Sequence, residues 1–280
     1  MQYIDKTNVK FKDRAYTLLD SFIQGQWQQS ENCYVNLAYE NFNNEKLTKW
    51  LLEEQEYYCC YCMKHILKEA KILKDERLII KNETTLEHII PNKSKNSLDY
   101  NKYSLYGEIR KSVFFWDESK MSSIKLNMPP FPHILAYENL VVSCNGEIPD
   151  QGKSKCCNNA RGNKDIEPLF YVKTVRTDIK YDFKGIIICD PKYDQTIKFL
   201  NLEHQTLQLF RRCWLNLPSK YTPLDVINAS KDEDLRNDIV DDMDISMITT
   251  SDKTTIKNSV YWKTFMNYFW FYLYKVEEKL

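Results

Sequence analysis

Thr84-Thr85-Leu86-Glu87-His88-Ile89-Ile90-Pro91 is a β-rich run that stops at a proline. Its β-branched residues suit a pleated strand, and proline turns the residue before it away from helix. The run therefore predicts a strand entering a loop, with an acid and a histidine side by side near its end. That dipeptide says little alone, but its setting is informative. Cys59 and Cys62 precede it in the segment YYCCYCMKHI, and Cys144, Cys156 and Cys157 follow it.

Cys59 and Cys62 form a Cys-x-x-Cys, a spacing that lets two thiolates of one tight knuckle reach a single zinc ion. A second pair comes from Cys144 with Cys157, or with Cys156 as the alternative. Four thiolates close a tetrahedral, structural site with no open position for water. The opening residues MQYIDKTNVKFKD lack the apolar core of an export signal, so a reducing cytoplasm is the expected setting. Nine cysteines there point to metal binding before disulfides. Cys33, Cys60, Cys189 and Cys213 have no partner pattern and are assigned to packing.

The 280 residues divide by pattern into a helical segment 1–56, a core 57–170 with an irregular insertion near 99–133, and a hairpin-plus-helix region 171–280. Apolar spacing predicts helices over 13–28 and 43–56. Residues 170–189 contain two alternating runs meeting at Lys184-Gly185, which predicts a hairpin. A helix is expected over 196–217, and an aromatic helix over 255–280. The apolar stretch 260–276 is interrupted by Lys263, Asn267 and Lys275 and reads as buried rather than membrane-spanning. Lysine plus arginine equals aspartate plus glutamate at 39 each, so any attraction to nucleic acid must be local. Lys64, Lys68, Lys71, Lys74, Arg77 and Lys81 follow the knuckle, and Lys153, Lys155, Arg161 and Lys164 surround the second cysteine pair. Each group is either a phosphate-attracting patch or a solvated face.

Glu87-His88-Ile-Ile-Pro, then Asn139-Leu140, then Cys157-Asn158-x-x-Arg161-Gly162 resemble the three motifs of the HNH, or ββα-metal, endonucleases. The resemblance implies an α+β fold: a ββα-metal core with a structural zinc knuckle, embedded in N- and C-terminal helices. It also implies one divalent cation, Mg2+ or Mn2+, beside the structural Zn2+. By resemblance His88 is the general base, Glu87 and Asn158 hold the cation, and Asn139 orients the histidine or braces its loop. Asn159 replaces Asn158 if the third motif slips by one residue. Histidine suits the base because its ordinary pKa of about 6.5 lets it take a proton near neutrality. Lys93 and Arg161 are candidate phosphate contacts, whereas His65, His133 and His204 are assigned structural roles.

The hairpin DIKYDFKGIIICD and the following DQTIKFLNLEHQTLQLFRR are similar to the region after the HNH motifs in PtuB-type nucleases of Septu antiphage systems. That resemblance implies a nucleic-acid substrate, DNA first and RNA (tRNA) as the alternative. It implies a PtuA-like ATPase partner whose complex sets the oligomeric state, and no membrane. The chain carries no Gly-x-x-x-x-Gly-Lys-Ser/Thr loop, which leaves ATP hydrolysis to the partner. Two features stay open in the sequence. Phe114, Phe115 and Trp116 of the insertion either dock a partner or pack on the core. The acidic segment 225–244 either meets a basic partner or is a solvated helix surface. A non-catalytic zinc module is the competing class of function.

Overall fold

The computed structural model describes residues 1–66, 84–93, 111–149 and 153–271. Helices and small sheets mix in an α+β arrangement. Contacts group the chain differently from its three sequence segments, into two interleaved compact units. One contains Met1–Tyr3, Tyr58–Thr85 and Ser143–Leu280; the other contains Ile4–Tyr57 and Leu86–Val142. They are termed the cysteine unit and the histidine unit.

The histidine unit begins with α1 (Val9–Gly25), whose first turn is capped by the Asn8 side chain accepting from the Lys10 amide. Ala15, Leu19 and Ile23, four residues apart, form its buried stripe. The helix stops short of the expected residue 28 because Trp27–Gln28 (β1) leaves to pair antiparallel with Cys33–Tyr34 (β2). In α2 (Glu45–Glu54), Leu47 and Leu51 are buried. At its end Gln55 acts as a piece of strand: its Nε2 donates to the Val142 carbonyl at 2.8 Å and its Oε1 accepts from the Val142 amide at 2.7 Å.

Two buried polar pairs tie these helices to the turn Tyr137–Asn139. Lys6 Nζ meets Glu54 at 2.6 Å with Tyr137 Oη donating to the same carboxylate, and Tyr16 Oη donates to Glu138. Burial raises the Glu138 carboxyl, against the pull of Tyr16 and of Lys12 at 3.4 Å.

The expected strand is β3 (Thr84–His88), and it forms a two-stranded sheet with β6 (Leu140–Cys144). Thr85 bonds Ser143 and the Ile89 amide bonds the Asn139 carbonyl, so the two strands run in opposite directions. Of the insertion, 99–110 lies outside the described residues. The remainder packs, with Val113–Phe114 (β4) parallel to Phe131–Pro132 (β5). Trp116 is buried and sits edge-on to Tyr34, while Phe114 and Phe115 are half-buried, Phe114 against Trp116 and Phe115 stacked on His133.

In the cysteine unit the hairpin is present but short, Lys180–Tyr181 (β7) with Ile187–Ile188 (β8). Gly185 turns it at φ +76, where a Cβ would lie 2.3 Å from the Gln208 carbonyl oxygen. The alternation over 170–183 predicts strand, but the chain takes helical spacing there. Val175 and Ile179 are buried four residues apart because Val175–Asp178 is a helical turn, not strand.

The helix expected over 196–217 is two, Asp194–Phe199 and Gln205–Leu215. Asn201 takes a left-handed conformation after the first, and the His204 ring accepts from the Thr206 amide to cap the second. The acidic segment is helical surface: Asp232 caps Glu233–Asp241, Asp225 completes a capping box with Thr222, and Asp241 pairs with Lys257. The closing helix is broken at Asn258 into Thr250–Lys257 and Ser259–Phe271, and 272–280 lies outside the described residues. Among the described residues no helix is long and apolar enough to cross a membrane.

Candidate metal centre and histidine site

Four cysteines converge in the cysteine unit: Cys59, Cys62, Cys144 and Cys157. The knuckle is built by a bridge between Tyr58 and His65 and closed by Cys59 N–H to the Lys64 carbonyl and Met63 N–H to the Cys59 carbonyl. Sulfur separations are 3.7 Å for Cys59–Cys157, 3.7 Å for Cys62–Cys144 and 3.8 Å for Cys144–Cys157. A tetrahedron with zinc–sulfur arms of about 2.3 Å has edges of about 3.8 Å. The thiols therefore stand at the spacing a zinc ion requires, and all-sulfur donors suit zinc far better than magnesium.

Backbone N–H groups support two of these sulfurs: Cys144 N–H points at Cys59 Sγ and Gly146 N–H at Cys144 Sγ, both at 3.3 Å. Gly146 is required there by geometry, since at its φ of +69 a Cβ would lie 2.1 Å from the Cys156 carbonyl oxygen. Burial opposes ionisation of Cys59, yet hydrogen bonds from Cys144 and Cys157 outweigh it and hold its thiol well below the ordinary range. Burial and the same crowding push Cys157 and Cys62 up. A divalent cation is what allows all four to be thiolates together. The structure thus selects Cys157 over Cys156 for the tetrad.

His88 and Glu87 lie in the histidine unit and leave opposite faces of β3, as adjacent strand residues must. Glu87 is buried and His88 half-buried. His88 Nε2 is 3.0 Å from the Ile134 carbonyl oxygen. A carbonyl only accepts, so Nε2 carries the proton and Nδ1 is the basic nitrogen. Tyr39 stands edge-on to the imidazole with ring centroids 4.5 Å apart and an interplanar angle of 87°. Burial raises the Tyr39 phenol to about 12.

Asn139 is fully buried and braces the loop. Its Oδ1 accepts from the Ile90 amide at 2.7 Å, and its Nδ2 donates to the carbonyls of Ile90 at 3.0 Å and His133 at 2.8 Å. One amide thus pins both the residues after His88 and the turn whose next carbonyl holds the His88 ring. Of the two roles open in the sequence, bracing is direct and orientation follows from it. Asn139→Ala strands three buried backbone groups at about 1–3 kcal/mol each. The expected loss, at least about 3 kcal/mol, is measurable by urea unfolding.

Burial lowers both His88 and His133 to about 4, the His133 shift reinforced by the His88 charge. His133 Nδ1 accepts from the Trp116 amide at 3.0 Å while its ring stacks on Phe115. A histidine neutral in the fold but protonated when unfolded stabilises fully above about pH 6.5, and this stabilisation is lost as pH falls toward about 4. Each is expected to contribute up to about 3 kcal/mol over that window. Urea titrations across the window check this, and His133→Asn, whose Oδ1 can replace Nδ1 as acceptor, should remove roughly half of the dependence.

The remaining sites divide. Asn158 is half-buried on the helix Cys157–Arg161 of the cysteine unit, and Asn159 is exposed with its amide committed to the Asn145 carbonyl. Arg161 is not a phosphate contact: it is buried, with Nε on the Lys164 carbonyl at 2.9 Å and a second nitrogen 3.5 Å from Tyr61 Oη. Lys93 is exposed, whereas Lys64 is buried. The run Lys68, Lys71, Lys74, Arg77 and Lys81 lies outside the described residues. Sequence reading missed Tyr39 and the Ile134 carbonyl. Neither carries a motif, because both reach His88 only through folding. Comparison of the sequence with protein-family models and with curated proteins finds no match.

Proposed function

We propose that this chain is a metal-dependent endonuclease of the HNH type that hydrolyses phosphodiester bonds in DNA. In this reading it is the nuclease component of an antiphage complex with an ATPase partner. The observation that carries it is the held imidazole: His88 Nε2 on the Ile134 carbonyl, at the end of a strand that Asn139 clamps. A general base needs a fixed ring, a defined tautomer and a neutral nitrogen at working pH. The arrangement supports all three. The chain order of antiparallel pair, then short helix, agrees with the resemblance in motif order.

His88 Nδ1 takes the proton of the attacking water as its oxygen bonds to phosphorus, and the P–O bond to the leaving sugar oxygen breaks. Glu87 offers a carboxylate, a hard donor of the kind that magnesium or manganese takes. Such a cation, when bound, would supply charge neutralisation on the phosphate. The zinc tetrad has no open position and stays structural.

The test is incubation of the full chain, purified with zinc, with duplex DNA, single-stranded DNA and tRNA. Magnesium or manganese is added, with and without any copurifying ATPase. DNA cleavage that requires the added cation supports the reading. Cleavage of tRNA alone keeps the chemistry and moves the substrate to RNA. No cleavage of any substrate, with the partner present, leaves a zinc-binding module and overturns the proposal.

A further inference from the structure

A fifth sulfur lies beside the four-cysteine cluster. Cys156 is fully buried, and its Sγ lies 3.5 Å from Cys157 Sγ. That is closer than the 3.7–3.8 Å separating the tetrad's own sulfurs. A buried cysteine normally behaves as a small apolar residue and packs against carbon. This one lies against a sulfur of the tetrad instead.

The backbone favours the pairing. Cys156 is extended and fastened by its amide to the Gly146 carbonyl at 2.8 Å. Cys157 sits in the left-handed region at φ +58, which costs a non-glycine residue about 1 kcal/mol. The tetrad therefore uses the more strained of two adjacent cysteines while the relaxed one waits in contact.

We propose that Cys156 is a reserve ligand, which takes the fourth coordination position when Cys157 leaves it. The exchange balances without redox change. The zinc–sulfur bond to Cys157 breaks, the Cys156 thiol passes its proton to the departing Cys157 thiolate, and a zinc–sulfur bond to Cys156 forms. The inference rests on the zinc tetrad alone and stands apart from the nuclease reading.

The test uses the full chain in five forms: wild type, Cys156→Ser, Cys157→Ser, Cys157→Gly and the double variant Cys156→Ser/Cys157→Gly. Zinc content is measured, and the thiolate-to-cobalt charge-transfer spectrum is read after substitution with Co2+. Glycine is included because it adopts φ +58 without strain, so a failure of Cys157→Gly reports the lost sulfur rather than the backbone.

The expected result is wild-type zinc content in all three single variants, with a four-thiolate cobalt spectrum in both Cys157 variants. Only the double variant falls to a three-thiolate spectrum. Its zinc affinity should drop by more than the roughly 10–100-fold that loss of an outer-shell partner costs. Cys157 variants that match the double variant overturn the reserve role while leaving the tetrad intact. A wild-type chain that binds neither metal overturns the tetrad and the reserve together.

Discussion

Stripping zinc from the full chain is expected to unfold the cysteine unit. A structural zinc on thiolates is worth about 10–16 kcal/mol near neutral pH, against about 5–15 kcal/mol for the whole stability of an ordinary domain. The four ligands come from the knuckle at Cys59 and Cys62, the end of β6 at Cys144, and the first residue of a helix at Cys157. Without a cation, four buried thiols at contact distance cannot all ionise, and the protons they retain replace metal bonds with weak S–H contacts. Circular dichroism and thermal unfolding, with and without a strong chelator, check this. Cys59→Ser should reproduce the effect, because Cys59 also accepts the Cys144 amide. A chelated chain that melts at the holo temperature would falsify the structural role of zinc.

His88→Ala is expected to remove cleavage and nothing else. A positioned general base contributes about 10²–10⁴-fold, so the variant should fall by at least that factor in kcat. The histidine is half-buried and its Nε2–H donates to a backbone carbonyl, a bond worth about 0.5–1.5 kcal/mol, so the fold loses little by truncation. Zinc content and urea midpoint should stay near wild type, provided the comparison is made above about pH 6.5 where the ring is neutral in both states. The contrast with Asn139→Ala is diagnostic. That change acts through stability, since Asn139 holds three backbone groups and reaches no reacting atom. Cleavage at wild-type rate by His88→Ala would remove His88 from the chemistry while leaving the zinc tetrad untouched.

The strand at Thr84–His88, the knuckle, the hairpin turn at Gly185 and the two N-terminal helices were legible because each depends on neighbours in sequence. Apolar period, a proline stop, a Cys-x-x-Cys spacing and a turn glycine act over a few residues. The errors have the same origin. Val175 and Ile179 satisfy alternation and helical spacing in one short window, and only packing chose the helix. Arg161 looked like a phosphate ligand because arginine usually is exposed; the Lys164 carbonyl and Tyr61 hydroxyl instead satisfy its buried donors. The helix over 196–217 broke at Asn201 and His204, residues whose capping preferences were visible but outweighed by the long apolar pattern.

Spacing by itself determined that a Cys-x-x-Cys pair, a later cysteine cluster and one Glu-His pair exist, whereas the mix of helix with small sheets came from the resemblance. Which four cysteines converge was a tertiary decision. Cys156 and Cys157 are equivalent in sequence, and the left-handed backbone at Cys157, with the Cys156 amide tied to Gly146, turns one sulfur into the tetrad and leaves the other beside it. The state of the histidine was decided in the same way. An imidazole has no fixed tautomer or pKa until a carbonyl and a low-dielectric wall meet it. Ile134 and Tyr39 do so from positions 46 and 49 residues away, a separation over which no local pattern operates.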